Sequence, residues 1–348
     1  MIKLIQSNRK KFFLVLLFIF FIMIVTSIAL GTADISFKQA FIALIKPLGL
    51  FSEEINAQVS GAHSLIIYKI RLPRIIMAAM VGAGLAVVGV AFQAVFKNPM
   101  ADPYVLGISS GGALGAALAI VLKVGESLFS FSMVTVFAFA GSLFTAFLVY
   151  NIARVGNKIP TINLLLAGIA VSFLLSSALS ILMVFNHNKV EKIVFWTLGD
   201  LNTSNWRQII VTTPFILIGI FIIYLFYRDL NLMLTGDESA KSMGIEVEKV
   251  KKIIVVVSSL IVAACVAFSG VIGFVGLLIP HMLRMMLGPN HKHLIPFSAL
   301  GGAMFLLFSD TLARSVLPSA ELPVGAVTAL IGSPYFIFLF LKYKKRVV

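Results

Sequence analysis

The stretch from Arg71 to Ile120, RLPRIIMAAMVGAGLAVVGVAFQAVFKNPMADPYVLGISSGGALGAALAI, leaves few folds open. Two arginines flank a proline at its start. A long apolar helix rich in small residues is expected next, broken at Lys97-Asn98-Pro99 and again at Asp102-Pro103. A second, Gly-rich apolar helix follows, with Gly111 and Gly115 four residues apart. A polar, proline-broken elbow between two apolar helices has no good place in a water-soluble core. A bilayer accepts it, because non-helical backbone is tolerated there against protein or a watery cavity. Small residues at four-residue spacing let helix backbones approach closely.

Composition agrees. The chain has 348 residues, 59% of them hydrophobic and 12% charged, against about 25% charged in soluble domains. Long uncharged runs then indicate an all-α polytopic membrane protein. The net charge of +14 does not point to nucleic acid. The basic residues sit in short loops between apolar runs rather than on one soluble face, and positive-inside topology accounts for them. The single cysteine, Cys265, lies in an apolar run; it has no internal disulfide partner and is expected to pack. At the N-terminus, uncharged residues continue from Phe12 to Thr32, longer than the hydrophobic region of a signal peptide, so a retained first helix is expected.

About ten spans are expected, at 12–31, 75–96, 104–122, 131–153, 162–185, 207–227, 253–270, 274–288, 294–313 and 322–341. The eighth is short for a hydrocarbon core that needs about 20 residues. Gly270, Gly273 and Gly276 predict a bent or broken helix there, and joining 253–288 into one kinked span would give nine. With ten spans, eighteen basic residues fall on one side, from Lys3 and Arg9 to Lys345 and Arg346, and ten on the other. That places both termini inside; nine spans would put the KYKKR tail outside. A faint repeat pairs Phe92, Pro99 and Leu106-Gly107 with Phe274, Pro280 and Leu287-Gly288. The first elbow is expected on the cytoplasmic side and the second near the outer face, as inverted-repeat halves would give. Outer segments are expected at 32–70, with Asp34, Glu53 and Glu54, and at 186–206, with Trp196 and Trp206 at its end as interfacial anchors.

No enzyme is visible: there is no HExxH, Cys/His cluster or Ser/His/Asp grouping, and no metal site or cofactor is expected. Ala240-Lys241-Ser242 fails as a phosphate loop, since Ala240 and Thr235 stand where glycines are needed and no strand precedes them. If ATP drives this protein, another chain binds it. Asp310 and Arg284 lie near span ends and Asp200 in an outer loop. A mid-membrane ionisable group is thus missing, which argues against the rival reading, an ion-coupled secondary transporter, and against a metal-ion channel. His281 is read as making a structural hydrogen bond. The cytoplasmic loop 228–252 places Asp237 and Glu238 where a short helix would start, with Gly244 to end it. These residues alone fit an ordinary solvated loop at least as well as a docking element. Arg71, Arg74 and Arg314 fall on the outer side; an arginine fork suits carboxylates, and snorkelling to headgroups fits these positions equally well. Asp310, one helical turn before Arg314, is in reach of it.

Several spaced motifs occur in one order: Arg71-Leu72-Pro73-Arg74, Phe92-Gln93, Asn98-Pro99, Asp102-Pro103, Leu106-Gly107, the run from Gly273 to His281, and Glu321-Leu322-Pro323-Val324-Gly325. In these the chain resembles the permeases of ATP-driven iron–siderophore, haem and vitamin B12 importers, the type II ABC importers, from about residue 70 to its C-terminus. The resemblance implies a single transmembrane permease domain, 1–348, in the bacterial cytoplasmic membrane. It implies a homo- or heterodimer with a second permease subunit, two copies of an ATP-binding cassette ATPase below and an extracytoplasmic binding protein above. It assigns Gly236, Glu238, Ala240 and Gly244 to ATPase coupling, and Arg71, Arg74 and Arg314 to binding-protein docking. Thr161 would belong to the inner gate, and Asn98, Pro99, Pro103 and Pro280 to helix-break elbows. Pro160 and Ile162 depart from the hydroxyl residues of the B12 permease. The implied cargo is a large metal chelate, an iron–siderophore complex before haem or cobalamin.

Overall fold

Apolar surroundings oblige each backbone amide to find its partner within the protein, and this chain meets the demand with helices. The computed structural model describes residues 8–31, 33, 35–46, 61–123, 132–317 and 320–344. Lys3, Asp34, Glu53, Glu54, Lys345 and Arg346 lie outside the described residues. Among the described residues, seven helices are long and apolar enough to cross a membrane: α1 (Arg9–Ala29), α3 (Gly61–Val95), α5 (Met133–Ala153), α6 (Thr161–Phe185), α8 (Trp206–Leu225), α11 (Val247–Ser269) and α13 (His291–Ser315). Three further apolar helices, α4 (Ile108–Leu122), α12 (Val275–Leu287) and α14 (Val324–Lys344), complete the expected set. Short helices α2 (Phe37–Ile45), α7 (Val190–Thr197), α9 (Tyr227–Met233) and α10 (Asp237–Ser242) lie between them. Among the described residues the only extended pairing is an isolated bridge, Val155–Lys158.

Helices α3, α11 and α13 are buried over most of their length, whereas α1, α5, α6 and α8 are largely exposed. The exposed helices carry apolar side chains outward, such as Phe18, Phe147 and Phe221, as lipid-facing surfaces require. Gly111 and Gly115 lie against α5, where a Cβ at Gly115 would sit 2.2 Å from the carbonyl oxygen of Phe137. Cys265 is buried, its sulfur 3.9 Å from the Val81 carbonyl oxygen, and it fills space as expected.

Residues 253–288 do not form one kinked span: α11 stops at Ser269, Gly270 takes φ +67°, and α12 starts only at Val275. The two breaks start at opposite ends of the molecule, Lys97 beside Asp237 and Ser269 beside Asp200, and turn toward each other. The first leaves α3 at Lys97 and turns inward, with Asn98 Oδ1 accepting from Met100 N at 2.9 Å and Asp102 Oδ1 from Tyr104 N at 2.8 Å. The Tyr104 hydroxyl then donates to Ile272 O at 3.0 Å and accepts from Ile272 N at 3.1 Å. Each break thus supplies the other with the partners that lipid cannot give. From this junction α4 and α12 run to opposite ends of the molecule: Ile120 lines a cavity with Asp200 and Glu321, while Leu287 meets Arg9.

Pro280 is not at a break; it lies inside α12. A proline there leaves the carbonyl four residues earlier, Gly276 O, without its helical donor. The Gln93 amide of α3 reaches that carbonyl at 3.5 Å and Leu277 O at 3.3 Å, so the cross-helix contact replaces what the proline removes. A methyl group on Gly89 would lie 1.8 Å from Gly276 O. Gly89→Ala is therefore expected to push α3 from α12 and destabilise the fold by about 1–3 kcal/mol, the usual cost of overpacking. Thermal unfolding in detergent measures it; an unchanged midpoint would contradict this packing.

Candidate functional sites at the two ends of the helix bundle

At one end, three arginines converge from distant parts of the chain, and all are more than nine-tenths buried. Helix α1 ends there, and the last carbonyls of a helix have no internal donors. Arg71 supplies them, donating from Nη1 to Ala29 O at 3.1 Å and also to Ile28 O, and from Nη2 to Ala33 O at 2.8 Å. Arg314 donates from Nη1 to Leu30 O at 2.8 Å and from Nη2 to Ser27 Oγ at 2.7 Å and to Ser27 O. Gly31, at φ +143°, leaves room for the Arg71 guanidinium, which a Cβ would meet at 2.8 Å.

Arg74 makes a different set of contacts. Its Nε donates to both oxygens of fully buried Asp310, at 2.9 and 3.0 Å, and its Nη1 donates to Glu321 Oε2 at 2.7 Å and Asn202 Oδ1 at 3.2 Å. Asp310 thus pairs chiefly with Arg74 rather than with Arg314, whose Nε stands 3.8 Å away. The pairing joins α3, α13 and the 200–204 and 320–323 loops. Beside it lies a cavity of about 560 Å³ lined by Lys192, Asp200, Asn202, Gln208 and Glu321 among others. Trp206, half of the expected aromatic pair, donates Nε1 to Tyr68 O at 2.7 Å.

At the other end, α10 begins at Asp237 after Gly236 and is closed by Gly244, which takes φ +87°. Glu238 is exposed and Ala240 is fully buried against the body, so the helix turns one face outward. Asp237 accepts from Lys97 Nζ and Lys251 Nζ, each at 2.5 Å. Lys251, 3% exposed, also stands 3.9 Å from Glu248. Glu248 Oε2 accepts from the Ile159 amide at 2.7 Å, two residues before Thr161, the first residue of α6. An unbroken line of charged contacts therefore runs from the first elbow through α10 and α11 to the start of α6.

Residues 17–342 match the profile of the FecCD transport family. The chain belongs to the FecCD transport family. The cobalamin import system permease BtuC of Halobacterium salinarum is 42% identical over 285 residues, 81% of this chain and 74% of that protein. The iron(3+)-hydroxamate import system permease FhuG of Bacillus subtilis is 37% identical over 336 residues, 95% of both chains. A solved metal-chelate type ABC transporter in an inward-facing conformation superposes with a TM-score of 0.83 at 32% identity, covering 96% of this chain and 99% of that one. This FecCD protein is a multi-pass ABC-transporter permease of the cell membrane.

Sequence reasoning placed the FecCD chain's three arginines at one end but not their partners. Glu321 was already part of a motif and could have been paired with Arg74; Asn202 carried no signal. Lys251 was detectable as the one cation at an otherwise apolar position of α11. Removing one partner of a buried pair costs about 3–5 kcal/mol. Arg74→Gln is expected to lower unfolding stability by that amount in detergent, whereas Glu321→Gln, at a side chain 40% exposed, costs under about 1 kcal/mol. Equal effects would contradict the assignment.

Burial pushes the Asp237 carboxyl up, but the ion pairs with Lys251 and Lys97 outweigh it and hold it below its ordinary 3.8. A carboxylate held down in the fold stabilises that fold at neutral pH, and the contribution disappears as pH falls through the lowered value. Acidification from about pH 7 to about pH 3 should therefore destabilise the wild type more than Asp237→Asn, which starts lower. Unfolding midpoints across that range test the sign.

Proposed function

We propose that this chain is the membrane half of an ATP-driven importer that carries a large metal chelate, an iron–siderophore complex, into the cytoplasm. The line of contacts Lys97–Asp237–Lys251–Glu248–Ile159 carries the reading. It links an exposed helix, suited to an ATPase groove, with the base of α6, where Thr161 would belong to the inner gate. Separate ATPase subunits would dock on α10 through Gly236, Glu238 and Gly244, with buried Ala240 seating the helix on the body of the chain. Both termini would then lie inside, and the halves around the Tyr104–Ile272 junction would be inverted. A second permease subunit would cover the exposed apolar face of α6, where Ile162, Leu166 and Phe173 project beside Ser172 and Ser176, and the path would run between the two copies.

A binding protein would dock at the Arg74 end. The three arginines support that surface differently from free forks: most of their donors are engaged within the chain, so their part is to hold the rim around Asn202, Glu321 and the α1 terminus in shape. The iron–siderophore reading is supported by the end-to-end likeness to a hydroxamate permease and by Pro160 and Ile162 in place of B12-type hydroxyls. The higher identity to a cobalamin permease favours cobalamin as the alternative.

The isolated subunit is expected to hydrolyse no ATP and to do so only with an ATPase partner. Glu238→Lys and Gly244→Leu should weaken ATPase pull-down. Glu248→Gln and Lys251→Met should leave pull-down intact but reduce chelate transported per ATP hydrolysed. Unchanged pull-down and uptake in all four variants would refute the coupling assignment. Uptake by the subunit alone, driven by an ion gradient, would establish the secondary carrier instead. Competition between ferric hydroxamate and cobalamin in the reconstituted importer separates the two cargoes.

A further inference from the structure

Buried guanidinium groups ordinarily find acceptors. At the α10 end of the molecule two of them do not. Arg284, in the last turn of α12, has Nε and Nη2 buried without a partner. Arg9, the first residue of α1, has its Nε buried without a partner, and Nη2 makes one long contact, 3.4 Å to Leu287 O. Fully buried His291 holds Asn231 Oδ1 through Nδ1 at 2.7 Å, and its Nε2 is unpartnered. Arg284 bears electrostatically on His291 and Arg9 on His293, and the Arg9 contact to Leu287 O brings it to the last turn of α12, which holds Arg284. Among the described residues no Asp or Glu forms an ion pair with any of them. Three acceptor-seeking nitrogens with no carboxylate in reach call for an anion from outside the chain.

The neighbouring space says which kind. A cavity of about 380 Å³ opens between α1 and α13, with Arg9, Lys10 and His293 at its rim and Phe13, Pro296 and Phe297 as walls. The Phe13 and Phe297 rings meet edge to face with centroids 5.0 Å apart. Below the rim the walls are almost wholly apolar, and α1 is exposed along most of its length. The groove therefore lies on the exposed flank of α1, among apolar side chains suited to lipid. A soluble anion would gain nothing from such walls; a lipid acyl chain would gain its burial.

We propose that this is a binding site for one anionic phospholipid of the leaflet on the α10 side, its phosphate on Arg9 and Arg284 and an acyl chain along Phe13 and Phe297. Basic clusters between membrane helices take such headgroups. The lipid would fasten α1, a peripheral helix, to α12 and α13. This inference does not depend on the cargo or on ATPase coupling.

The test uses the full chain in nanodiscs of phosphatidylcholine, with and without phosphatidylglycerol. Retained lipid is counted by native mass spectrometry and stability read as the thermal midpoint. Wild type is expected to retain phosphatidylglycerol and gain stability from it, and Arg9→Gln/Arg284→Gln to retain it about tenfold less, since each basic residue at a membrane surface contributes modestly. Should that double variant fold poorly, Lys10→Gln and Arg9→Lys are milder and should weaken retention in graded fashion. Inorganic phosphate should neither stabilise the protein nor displace the lipid. Equal retention by wild type and all variants overturns the proposal. Stabilisation by phosphate in phosphatidylcholine discs would make the site one for a soluble anion, and loss of bound lipid on adding an ATPase subunit would make it a protein contact; either overturns it.

Discussion

Non-helical backbone in an apolar interior survives only where protein groups replace water, and the Tyr104–Ile272 contact is where this chain meets that demand. One hydroxyl both donates to and accepts from a single residue of the opposite break. Around it, Gly276 packs on Leu85 and Pro103, and Gln93 covers the carbonyl that Pro280 leaves open. The short helices α4 and α12 can start inside the protein because these groups close their ends. Without that junction neither half-helix would have a reason to begin where it does, and the buried core of α3, α11 and α13 would lose the elements that pack on it.

The three arginines at the Arg74 end show how the same demand shapes a surface. An arginine near a membrane boundary invites a reading as headgroup anchor or docking fork. Arg71 and Arg314 are neither in this structure: they are the donors that the end of α1 lacks. Arg74 neutralises Asp310, an acid that could not otherwise sit fully buried. Burying a charge to hold a rim is expensive, and it fits a rim whose shape matters. A surface proposed to receive a binding protein needs its loops fixed, and side chains locked by internal partners do this better than free ones.

Much of this was legible in the chain. The ten apolar segments, the all-helical class and the elbow at Asn98, Pro99 and Pro103 follow from proline, glycine and hydropathy patterns that are local in sequence. The short helix between Gly236 and Gly244 was legible for the same reason. What could not be read is long-range. Pro280 looked like a break because proline usually is one; its rescue lies in Gln93, far away in sequence. Only one partner of Asp310 was legible: the one-turn neighbour Arg314 is visible in sequence and forms the longer pair, whereas Arg74, the closer partner, is not visible. The meeting of the two breaks was hidden because pattern reveals which end of a helix a loop joins, but not how far the loop turns inward.

Lys251 shows why the coupling end works as a unit. Its ammonium is nearly out of water, so it cannot be left unpaired, and its acids lie on two different sides. Asp237 belongs to the exposed helix α10, and Glu248 holds the amide that leads into α6. A push that moved α10 alone would strip Lys251 of its shorter pair, 2.5 Å, and leave it with the longer one, 3.9 Å. Buried charge makes that separation costly, whereas exposed pairs such as Lys249–Glu246 would part at little cost. The less costly motion carries α10, the start of α11 and the loop before Thr161 together. Lys97 ties the first elbow to the same acid, so the path from the exposed helix reaches both the base of α6 and the entrance of the Tyr104 junction. Under the proposed coupling role, force applied at α10 would reach the two places where the helix bundle is already interrupted.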